Sequence, residues 1–74
     1  MENSTNILVF ATNIRTENDK QLISKILNQK TEIRQWNIDQ EDIDCVLRIE
    51  SDLLSEEEII NIIDAHDFDC TPLE

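Results

Sequence analysis

A chain of 74 residues allows one domain, spanning 1–74, and one small core, because a chain this size buries only about 60% of the surface its unfolded form exposes. A deep substrate cleft does not fit that volume. Seventeen acidic residues against six basic leave a net charge of -11 at pH 7, which repels nucleic-acid phosphates and anionic membranes and points instead to basic proteins or cations as partners, another copy of the chain being a candidate only through strand pairing.

With no glycine and one proline, Pro72, there is no linker signal and no low-complexity segment. Ile7-Leu8-Val9-Phe10-Ala11 is a short apolar run whose β-branched and aromatic residues predict a strand from Ile7 to about Asn13, central because it is apolar on both sides. Thr16, followed three residues later by Asp19, predicts a helix start, and Leu22, Ile23, Ile26 and Leu27 make its apolar stripe as far as about Gln29. Ile33, Trp36 and Ile38 mark a second strand that ends at the polar turn Asp39-Gln40-Glu41-Asp42. Cys45, Leu47 and Ile49 alternate with Val46 and Arg48, so a third strand is expected to return as a hairpin, with Cys45 on the same face as Leu47 and Ile49. Ser55-Glu56-Glu57-Glu58 is a full capping box, with three carboxylates where the helix dipole favours them. Ile59, Ile60, Ile62 and Ile63 supply the buried stripe of this second helix. A last strand is expected from Asp69 to Leu73, at a sheet edge because Pro72 lacks an amide donor.

The order β-α-β-β-α-β predicts an α+β, ferredoxin-like two-layer sandwich. Its antiparallel sheet would have strand order 4-1-3-2, with both helices on one face. No run of 18 apolar residues and no Arg- or Lys-led apolar leader is visible, so a cytoplasmic location is expected. The two cysteines, 25 positions apart, lack metal-pair spacing and fit a reducing compartment.

The apolar first strand, Ile23 and Leu27 on the first helix, Ile33-x-x-Trp36-x-Ile38-Asp39, the pair Leu47 and Ile49, and Ile59 to Ile63 leading into Asp67-Phe68 together resemble the heavy-metal-associated domain family. This is the small fold of copper chaperones and of the cytosolic modules of metal-pumping P-type ATPases, and the resemblance covers nearly the whole chain. The family's Met-x-Cys-x-x-Cys motif falls at Ile14, Thr16 and Asp19, counted back from Ile23 and Leu27. One hydroxyl and one carboxylate are hard donors, whereas monovalent copper needs soft sulfur, so the resemblance implies the fold without copper transfer. Where the family usually has glycine before the aromatic after the second helix, this chain has Asp67, a poorer residue for a positive-φ turn.

The remaining chemistry is sparse. Cys45 and Cys70 read as small buried hydrophobes. In the 4-1-3-2 order they sit on strands that flank the first, about 10 Å apart at a strand spacing of about 4.8 Å, too far for a disulfide without backbone movement, since bridged Cα atoms lie within about 7 Å. His66, Asp69 and Cys70 are the candidate metal ligands, together with Asp67. A cap at the end of the second helix is the competing role of His66, and strand alternation sends Asp69 and Cys70 to opposite faces. Asp39, Glu41, Asp42 and Asp44 carry no Asp-x-Asp-x-Asp-Gly calcium loop and read as a solvated turn. One histidine and the scattered Ser4, Ser24, Ser51 and Ser55 assemble no triad. Acylphosphatase has a similar topology and an arginine after its first strand, as Arg15 is here, but the glycines of its phosphate loop are absent.

The expectation is therefore no enzyme and no cofactor, but a small binding or protein-interaction module without a thiolate copper site. Trp36, on an edge strand, is the candidate partner contact. The alternative is a divalent, zinc-like metal carrier that uses His66 and Cys70.

Overall fold

The β-branched and aromatic run near the start forms β1 (Asn6–Thr12), and the two capped stripes form α1 (Glu17–Asn28) and α2 (Glu56–Asp64). Between the helices lie β2 (Ile33–Asp39) and β3 (Val46–Ser51), and β4 (Cys70–Pro72) closes the chain. The structure is a computed structural model that describes residues 6–73; Ser4 lies outside the described residues. The strands form one antiparallel sheet in the order β2-β3-β1-β4, so β1 and β3 are central and β2 and β4 are edges.

One core joins one sheet face to both helices. Phe10, Leu47 and Ile49 from the sheet pack with Ile23 and Leu27 of α1, Ile59 and Ile63 of α2, and Ile14, all essentially without solvent exposure. Two stripes come out narrower than the sequence suggests. Leu22 is 55% exposed, because the core takes the Ile23–Leu27 side of α1 and leaves Leu22 at the stripe's solvent margin. On α2, Ile59 and Ile63 are fully buried, while Ile60 and Ile62 only pack against the cluster.

The ends of three strands differ from expectation. β1 stops at Thr12, whose hydroxyl donates to Cys45 O at 2.7 Å and accepts from Ile14 N at 3.2 Å. Cys45 is buried as expected but precedes β3, in a left-handed bend with φ 44°. The loop carbonyls of Asp42 and Asp44 hold that bend by accepting from Cys45 N and Thr12 N, both at 2.9 Å. β4 begins at Cys70 rather than Asp69, because the Asp69 amide donates to Asn13 Oδ1 at 2.8 Å instead of entering the ladder. Pro72 is opposite Phe10 on the edge strand, where a missing donor is tolerated.

On β2, a bulge between Ile33 and Gln35 corrects a period problem. Ile33 and Trp36 are three apart, so strict alternation would put them on opposite faces; the extra residue brings both against the core. After α2, Asp67 takes φ 67°, and the chain closes with Asp67 N donating to Asp64 O (3.0 Å) and Phe68 N to Ile63 O (3.4 Å). This is a Schellman closure in which aspartate occupies the position that favours glycine.

Candidate functional site

Three places carry the residues singled out from the sequence, and the first is the link from β1 to α1. Ile14 is fully buried, with its side chain in the core cluster. Thr16 and Asp19 form a reciprocal capping box. Asp19 N donates to Thr16 Oγ1 at 3.0 Å, and Asp19 Oδ2 accepts from Thr16 N and Arg15 N, each at 3.3 Å. Thr16 and Asp19 thus serve the helix start, where the first amides lack partners of their own.

This link is tied down from both sides. Gln40 Nε2, on the hairpin loop, donates to Ile14 O at 3.3 Å and to Thr16 O at 2.9 Å. From the other side, Asn13 Nδ2 donates to Asp69 Oδ2 at 3.2 Å, completing a two-bond bridge with the Asp69 amide. Neither Asn13 nor Gln40 was legible as a positioning residue in the sequence, since each acts on a segment more than twenty positions away.

The second place is the end of α2. His66 is exposed, Asp69 faces Asn13, and Cys70 is half-buried against the core. Burial pushes the Cys70 thiol up from 9.0 to about 12. Among the described residues, no three His, Cys, Asp or Glu side chains gather where they could hold a metal ion. Both cysteines are free. Thr12 stands between them, paired with Cys70 across β4 and bonded to the Cys45 carbonyl on its other side. In the hairpin loop, the Asp39 and Asp42 carboxylates accept from Glu41 N (3.1 Å) and Asp44 N (2.9 Å), which shapes the turn.

The third place is the free edge of β2. Trp36 packs partly against the core, and its indole N–H donates to Asn28 Oδ1 at 2.9 Å. Leu27 and Asn28 of α1, Lys30, and Ile33, Arg34 and Trp36 of β2 line a cavity of about 280 Å³ beside this edge. Arg34 is paired with Asp52 at 2.8 Å. No sequence signal marked Asn28 as the partner of Trp36, because the bond crosses from helix to strand.

Compared with family models, curated proteins and solved structures, the chain matches none.

Proposed function

We propose that the chain is a non-enzymatic binding or protein-interaction module of ferredoxin-like topology. In this reading it is of heavy-metal-associated type, without a thiolate copper site. The sheet order supports the topology, since read from β4 it runs 4-1-3-2, and both helices share one core with a single sheet face. The observation that carries the functional reading is the capping box at Thr16 and Asp19. Both side chains hold backbone amides of the α1 start, and neither is a soft donor. The partner contact is the free β2 edge with Trp36, and the net charge of -11 steers basic proteins toward the molecule.

A divalent-metal role for His66 and Cys70 gains no supporting contact, so a single reading is carried. The test is titration of the reduced protein with monovalent copper against a competing chelator. The expected result is no retention by the protein; stoichiometric retention would sink the reading.

A further inference from the structure

The sheet has a face that neither helix covers, and its composition differs from the rest of the surface. Strand alternation turns Phe10, Leu47, Ile49, Trp36 and Ile38 toward the core and their neighbours outward. The outward set over β1, β2 and β3 includes Ile7, Val9, Ala11 and Val46, and its charged members are Arg48, Glu50 and Asp39. A chain of net charge -11 therefore keeps this face near neutral and half apolar, with most of its carboxylates on the helices and loops.

Register arranges the centre of the face in two adjacent rows. One is Val9–Arg48–Asn37 and the next is Ile7–Glu50–Gln35. Arg48 is exposed and makes no ion pair among the described residues, where the one ion pair is Arg34–Asp52. Ile7 is 56% exposed.

We propose that two copies of this chain meet through this open face, about a twofold axis that crosses the strands between the two rows. Such an axis keeps each strand over its own copy and exchanges the rows. Val9 then faces Ile7 of the second copy, Arg48 faces Glu50, and Asn37 faces Gln35. Apolar meets apolar, cation meets anion and amide meets amide, which is the self-complementarity an isologous contact requires. The helices, with Glu17, Asp19, Glu56, Glu57, Glu58 and Asp64, lie on the far sides, about 30 Å apart at layer spacings of about 10 Å. That exceeds a Debye length of about 8 Å at physiological salt, so their repulsion is largely screened.

The patch is small. Four strands at about 4.8 Å by some 20 Å of strand give a plane of roughly 400 Å² per copy, below the roughly 800 Å² per partner of standard stable interfaces. The dimer is consequently weak and concentration-dependent. It is independent of the β2-edge contact, which leaves the open face free.

The test is sedimentation equilibrium of the whole chain from about 10 μM to about 1 mM in about 0.5 M sodium chloride, on variants whose folding is verified by thermal melts. Wild type is expected to dimerise over this range. Arg48→Glu and Glu50→Arg are each expected to weaken association by at least about tenfold, by placing like charges opposite one another. An equimolar mixture of the two restores opposite charges at both contacts and is expected to associate about as well as wild type. Lys25→Glu, on the exposed side of α1, changes net charge as much as Arg48→Glu does and should leave association within about twofold. Wild type that stays monomeric throughout overturns the proposal, as does a dimer insensitive to Arg48→Glu or a mixture that fails to associate.

Discussion

Placing cysteine at both positions that the proposed reading aligns with metal ligands, as Thr16→Cys with Asp19→Cys, tests that reading and the helix start together. The double substitution removes the cap hydroxyl that receives Asp19 N at 3.0 Å and the carboxylate that receives Thr16 N and Arg15 N at 3.3 Å. Losing an N-cap of this type costs about 1 kcal/mol, and two exposed amides that turn to water add roughly 0.5–1 kcal/mol. At about 4–8 °C per kcal/mol for a domain of this size, the metal-free variant should melt some 6–16 °C below wild type. Monovalent copper at a hundred times its dissociation constant should then return about 2.7 kcal/mol, a rise of roughly 10–20 °C at the same conversion. The assay is a pair of melts, without and with copper, beside a chelator competition that reads stoichiometry. Thr16→Cys alone should melt lower without retaining copper. A folded double variant that holds copper no better than wild type would refute the placement of the ligand positions, and with it the resemblance on which the placement rests.

Five further outcomes are expected. Leu27→Ala or Ile59→Ala, both at fully buried positions, should cost about 2–5 kcal/mol and leave the protein largely unfolded at 37 °C; a cooperative melt within a few degrees of wild type contradicts the core. Asp67→Gly, at φ 67°, should raise the melting temperature by several degrees, since relief of a left-handed non-glycine residue is worth about 1 kcal/mol. For the same reason Cys45→Gly should be at least as stable as Cys45→Ala, although glycine ordinarily loses that comparison by about 0.5–1 kcal/mol. Cys70 keeps its proton to about pH 12 in the fold against 9.0 in the free thiol, so its contribution is full below pH 9 and is lost as pH rises toward 12; denaturant melts across that window should fall less steeply for Cys70→Ala than for wild type. Added sodium chloride should raise the melting temperature at pH 7 by screening the excess of carboxylates, and a salt-insensitive melt would mean that the acidic residues are locally compensated.

Order and type of the elements were written locally in this chain, and so were both helix starts. Thr16 with Asp19 and Ser55 with Glu58 are three residues apart, the span over which a side chain reaches its own helix amides, and both boxes close. The apolar run of β1 likewise announced a strand with neighbours on both sides. What tertiary structure decided lies wherever a partner is distant in sequence. The bulge that sets Ile33 in phase with Trp36 depends on pairing with β3, and the left-handed Cys45 depends on Thr12 reaching its carbonyl from β1. Hydrophobic pattern could not rank Ile59 and Ile63 over Ile60, or Ile23 over Leu22, because a stripe defines a direction, whereas the facing sheet determines which of its residues lose their last water. Ser51 makes the same point for a polar residue. It is wholly buried, its hydroxyl donates to Glu32 O at 2.6 Å, and it accepts from Leu53 N and Leu54 N. Burial of that serine is stable only because three separate backbone groups converge on it, and folding alone brings them there.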